Sequence, residues 1–178
     1  MNDMKKLLLS LSAICLTLIL NAQTGPIDEM FNKYSEKEGF TVVSISSKMF
    51  SMFAGQDNKD KEAGDIINRL KSIRILTVED SLLNKNINFY TELSKKLNLS
   101  DYEELMVVKE GPDITKFLIL QKGDIISELL VVTGGPGGNS LISIKGDLNL
   151  KSISDLSKNV DIQELKSLDE LEKKNQKK

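Results

Sequence analysis

Between Leu105 and Lys145 the chain alternates four apolar runs with three clusters of turn-forming residues, a pattern that few architectures accept. The runs are Leu105–Lys109, Thr115–Gln121, Ile125–Thr133 and Ser140–Lys145. They are separated by Gly111-Pro112-Asp113, Lys122-Gly123-Asp124 and Gly134-Gly135-Pro136-Gly137-Gly138-Asn139. Short strands joined by such residues form an antiparallel meander, because glycine, proline, asparagine and aspartate supply the backbone angles of tight reversals. Side chains alternate faces along a strand, so Ile142 and Ile144 share one face and both are expected to be buried.

The first half has a different rhythm. Ile27, Met30, Phe31 and Tyr34 follow the i, i+3, i+4, i+7 spacing of one helical face, opening at Pro26 and ending before Gly39. Phe40–Ser46 (FTVVSIS) is rich in β-branched residues and predicts a strand. Lys48–Ala54, with Met49, Phe50, Met52 and Phe53, predicts a short helical turn packed into the core; the alternative is an exposed apolar recognition patch. After a charged loop at Gln56–Lys61, Ala63, Ile66, Ile67 and Leu70 mark a helix, and Ser72–Val78 a strand. Ser81 is the expected N-cap of the longest helix, with Leu83, Ile87, Tyr90, Leu93 and Leu97 on its buried side. Leu150, Ile153 and Leu156 indicate a closing helix. Early helices and clustered late strands define an α+β fold, an antiparallel meander in the C-terminal half with helices on one face of the sheet.

Residues 1–22 have the three parts of a cleavable export signal. Lys5 and Lys6 precede an apolar run from Leu7 to Leu20, and Ala22 is the small residue at the expected cut before Gln23. That run is shorter than the ~20 residues a membrane-spanning helix needs. No later segment approaches that length, so a soluble protein of the periplasm or cell envelope is expected. The single cysteine, Cys15, follows Ile14 inside the run, a poor context for lipid attachment. A chain cut after Ala22 has no cysteine, so its core must suffice without disulfides. One α+β domain is expected over 23–158. Beyond it, 159–178 is a charged, partly helical or disordered tail whose apolar residues recur every third position and drift around a helix. Intact-mass measurement of envelope material is expected to show a mature chain starting at Gln23; a mass matching a lipid-modified start at Cys15 would refute this.

Absences narrow the chemistry. There is no histidine, which removes the usual general base, the Ser-His and Cys-His nucleophile systems and the commonest zinc ligand. No serine stands three residues before a lysine, so the Ser-x-x-Lys signature is missing. Asp57, Asp60 and Glu62 are interleaved with lysines and fail the pattern of a calcium loop. The Gly134–Asn139 segment joins two expected strands and lacks the lysine of a phosphate-binding loop, so it is taken as a flexible hairpin connection. Glu79-Asp80 and Asp101-Glu103-Glu104 could serve as acid–base pairs, yet both groups lie beside expected helix starts, where carboxylates serve as caps. The net charge is −2 with signs interspersed, and no basic stripe with aromatics suggests nucleic acid. No catalytic, cofactor or metal residue is therefore nominated. A non-catalytic binding or accessory module is expected, with an envelope protein or small ligand as partner. The alternative is a carboxylate-only hydrolase acting on an envelope substrate.

Three stretches, Phe40–Met49 (FTVVSISSKM), Leu70–Leu76 (LKSIRIL) and Leu129–Leu156 around ISIKGDL at Ile142–Leu148, resemble in order and spacing domain-of-unknown-function family 4252, exported proteins of Bacteroidota. The resemblance implies export and a domain reaching about Lys158. It carries no catalytic residue onto this chain.

Overall fold

The computed structural model describes residues 25–54, 67–149 and 151–153. The expected signal and its Ala22–Gln23 junction, the loop at Gln56–Lys61 and the tail lie outside the described residues. Helix α1 (Pro26–Tyr34) leads to β1 (Phe40–Ser46), α2 (Ser47–Ala54) and β2 (Leu70–Val78). Two short helices follow, α3 (Ser81–Asn84) and α4 (Phe89–Ser94), and a 3-10 turn at Leu99–Asp101. The meander is β3 (Glu103–Glu110), β4 (Asp113–Lys122), β5 (Ile125–Gly134) and β6 (Ser140–Leu148). The described strands all pair antiparallel in one six-stranded sheet of order β1-β2-β6-β5-β4-β3.

The expected turns close the hairpins. Glu110 pairs with Asp113 and Lys122 with Ile125, leaving two-residue loops at Gly111-Pro112 and Gly123-Asp124. Gly111 (φ 59°) and Gly123 (φ 61°) occupy the first loop position, where the turns that match strand twist need a positive φ. Ile142 and Ile144 are both fully buried, as expected.

Helices α1 and α4 pack on one face of the sheet. Met30, Phe31, Phe89 and Leu93 meet Leu76, Leu130, Val132 and Leu141 there. The opposite face is buried as well: Ile73, Phe117, Leu129, Val131, Ile142 and Ile144 form a second cluster, joined by Ile153 and by Phe50 of α2. Leu129-Leu130-Val131-Val132 is therefore an unbroken apolar run at 0 % exposure, because alternate residues feed different cores. Met49 and Met52, expected in the core, are 45 % and 63 % exposed. Only Phe50, among the described side chains of α2, reaches the cluster.

The helix expected from Ser81 to Leu97 is two helices. Asp80, not Ser81, is the first cap, accepting from Leu82 N (2.7 Å) and Leu83 N (3.3 Å). Asn88 caps the second helix through Thr91 N (2.8 Å). Short polar side chains offer the backbone an alternative to helical bonds, and a third residue enforces the break. Buried Asn139 accepts from Phe89 N (2.8 Å) and donates to Ile87 O (3.1 Å), groups a continuous helix would use itself.

Polar bonds fasten the helical layer. Glu92 on α4 accepts from Lys33 Nζ (2.6 Å) and Tyr34 Oη (2.7 Å) of α1. Burial alone would raise the Glu92 pKa, but these two hydrogen bonds together with the charges of Lys33 and Lys96 outweigh it and hold the carboxyl below its ordinary range. Arg74 on β2 bonds Asp28 and lies over the Phe31 ring.

Candidate functional site

Register brings together residues that are distant in sequence. Reading across the sheet, Thr41 pairs with Thr77, Thr77 with Ser140, Ser140 with Thr133, and Thr133 with Thr115. Directly paired residues share a face, so five strands line up five hydroxyl groups in one row. The next row inward on that face is apolar: Val43, Ile75, Ile142, Val131, Phe117 and Met106. One step outward come carboxylates, with Asp113 two residues before Thr115, Glu79 two residues after Thr77, and Glu110 paired with Asp113. Along the strands this face thus grades from apolar through hydroxyl to acidic.

An open cleft of about 830 Å³ lies at this end. Thr77, Ser140, Thr133 and Thr115 line it with Glu79, Glu110 and Asp113, and the described lining contains no lysine or arginine. Thr115 Oγ1 and Thr133 Oγ1 are 3.0 Å apart and bonded to each other. Thr41 Oγ1 donates to Glu79 Oε1 at 2.5 Å. Ser140 differs: its residue is 4 % exposed and its Oγ has no hydrogen-bond partner among the described residues. Nearly all buried polar groups in folded proteins are paired, and an orphan costs about 1–3 kcal/mol.

The Gly134–Asn139 connection forms the adjoining wall, and it is pinned where free flexibility was expected. Gly137 N donates to Asp113 Oδ1 at 2.9 Å. A Cβ on Gly135 or Gly137 would overlap the Asp113 carboxyl, and one on Gly134 would overlap Asn88 Oδ1. Asn139 anchors the loop's end, donating to Gly135 O (2.9 Å) and Asn84 Oδ1 (3.0 Å) besides its bonds at the α3–α4 break. The glycines therefore permit close approach: the loop wraps a carboxylate of its own chain and is no phosphate cradle.

The carboxylates weighed from sequence do not assemble. Glu79 reaches the cleft, whereas its neighbour Asp80 is occupied as the α3 cap. Asp101 accepts from Asn98 Nδ2 (3.0 Å), Glu103 from Gln121 Nε2 (2.6 Å), and Glu104 pairs with Lys116 (2.7 Å). Asp113, which the sequence marks only as a turn residue, and Glu110, which it does not single out, are the carboxylates that join Glu79. Buried Glu128 belongs elsewhere: it accepts from Ser143 Oγ (2.5 Å) and Tyr102 Oη (2.9 Å), and Lys145 Nζ lies 4.0 Å away. Burial, reinforced by Glu128, pushes the Tyr102 phenol above its usual range. This network ties the segment before β3 to the sheet and is satisfied within itself.

Among the described residues no helix is long and apolar enough to cross a membrane. The molecule is thus an α+β domain with one antiparallel sheet and an acidic, hydroxyl-lined cleft at the sheet's end. A family model described as a domain of unknown function (DUF4252) matches residues 34–156, and the chain belongs to that family. No curated protein and no solved structure matches it.

Proposed function

We propose that this protein is an exported, non-catalytic binding module of the cell envelope that holds a small polar ligand in the cleft. The observation that carries this reading is the orphan Ser140 hydroxyl, set in a row of hydroxyls that line the cleft. A buried polar atom without a partner destabilises the free protein, and a ligand that completes its bonding recovers that free energy on binding. The cleft's volume lies in the range of small-molecule sites, about 300–1,000 Å³.

Hydrolysis is the second reading, because Glu79, Glu110 and Asp113 line the same cleft. Acid–base work by two carboxyls needs environments that differ sharply, one of them enclosed and apolar. Glu79 and Glu110 are both exposed to solvent, and Asp113 is bonded to the backbone of the glycine loop. That arrangement favours recognition over turnover.

Ser140→Ala separates a binding role from a structural one. The variant is expected to be more stable than the parent by about 1 kcal/mol, since it removes an unsatisfied buried group. It is expected to lose affinity for ligands of the cleft at the same time. Urea unfolding and a thermal-shift screen of sugars, amino sugars and polyols would measure both. A destabilised variant would show that the hydroxyl serves the fold, and glycan turnover abolished by Glu79→Gln or Asp113→Asn would replace the binding reading with the hydrolytic one.

A further inference from the structure

We propose that the ligand of this cleft carries a protonated amine beside hydroxyl groups, as an amino sugar does; the inference rests on the binding reading above. Five described carboxylates have a cation close beside them, Asp28 with Arg74, Glu29 with Lys96, Glu92 with Lys33, Glu104 with Lys116 and Asp147 with Lys71, while Asp80, Asp101 and Glu103 are engaged by backbone or side-chain amides. The three cleft carboxylates have no ion-pair partner among the described residues. Glu79 is engaged by a threonine hydroxyl and Asp113 by a backbone amide. The orphan Ser140 hydroxyl, on a residue that lines the cleft, is the independent observation that points to a polar ligand here.

The chemistry of that ligand follows from the rows. An anion is disfavoured, because it would face three carboxylates and no described lysine or arginine. Among the described residues no three acidic groups converge closely enough to hold a metal ion, so the complement is an organic cation. An ammonium group offers three donors, which suits carboxylate and serine oxygens with free lone pairs. Beneath the acidic rim the hydroxyl row, set at the ~4.8 Å strand spacing, can both donate to and accept from ligand hydroxyls. A ligand with its charge at one end and hydroxyls along its length meets both rows at once.

Isothermal titration of the full chain compares glucosamine, glucose and N-acetylglucosamine at mildly acidic pH, where only the first is charged. Glucosamine is expected to bind at least about fivefold more tightly than the two neutral sugars, the size that exposed ion pairs supply. Glu79→Gln/Glu110→Gln is expected to erase that preference, bringing glucosamine down to the affinity of the two neutral sugars, and Ser140→Ala to weaken all three. If the sugars bind equally and Ser140→Ala weakens each, the amine is wrong and the cleft reading stands. If none binds, both proposals fall. Because Glu110 makes no side-chain bond in the described structure and Glu79 a single exposed one, the double variant is expected to fold like the parent, which a melting curve verifies.

Discussion

Ile144→Asp is expected to abolish cooperative folding. Ile144 has no exposed surface and sits on β6, paired with Ile73 of β2 on one side and Leu129 of β5 on the other. All three belong to the cluster that includes Phe117, Val131 and Ile142. A carboxylate there replaces apolar contact with a buried group that must either stay neutral or remain ionised without a cation. The cost is several kcal/mol, against a total stability of about 5–15 kcal/mol for a domain of ordinary size. Ile144→Val is the control, expected to cost only about 1 kcal/mol because it removes a single methylene. Far-UV circular dichroism and urea unfolding distinguish the two. A native spectrum and an unchanged midpoint for the aspartate variant would mean that β6 does not turn this residue inward.

Asn139→Ala is the second large effect, expected to cost about 3–5 kcal/mol. One amide side chain bonds Phe89 N, Ile87 O, Gly135 O and Asn84 Oδ1, and its removal strands several of these groups away from water. Each orphaned group costs about 1–3 kcal/mol, and members of one network do not add independently. The loss should be local before it is global. Amide exchange at Phe89 is expected to accelerate strongly, while the amides of Leu130 and Val131 keep their protection in proportion to overall stability. Asn84→Ala provides the comparison. It removes the Asn84 Nδ2 bond to Val78 O and the Oδ1 acceptor for Asn139, but leaves the bonds across the helix break, so it should cost less. Equal stability of Asn139→Ala and the parent would overturn the role assigned to this residue.

Much of the fold was legible because its signals are local. Gly111-Pro112 and Gly123-Asp124 mark strand ends by backbone angle alone, and the α1 stripe of Ile27, Met30, Phe31 and Tyr34 repeats at helical spacing. The break between α3 and α4 was misread because the apolar stripe runs through it: Leu83, Ile87, Tyr90, Leu93 and Leu97 all still pack against the same core. The interruption is written in Asn88 and, far along the chain, in Asn139. The site was nearly invisible for the same reason. A threonine on a strand is unremarkable, and the row of Thr41, Thr77, Ser140, Thr133 and Thr115 exists only once strand order and register are known. Strand order is not legible in the sequence, since the second partner of β2, beside β1, is β6 and not β3.

That pairing has a consequence for the order of events in folding. A chain is made N-terminus first, and on the present proposal it crosses a membrane in the same direction. β1 and β2 form a hairpin pair at one side of the sheet, but the neighbour that completes β2 is β6, the last strand to emerge. β3, β4 and β5 are likewise joined to β2 only through β6. No stable intermediate with both halves docked can therefore form until residues near Leu148 are available, and pairings this distant in sequence form slowly. On the proposal of export, the sheet of such a chain closes only once β6 has been delivered.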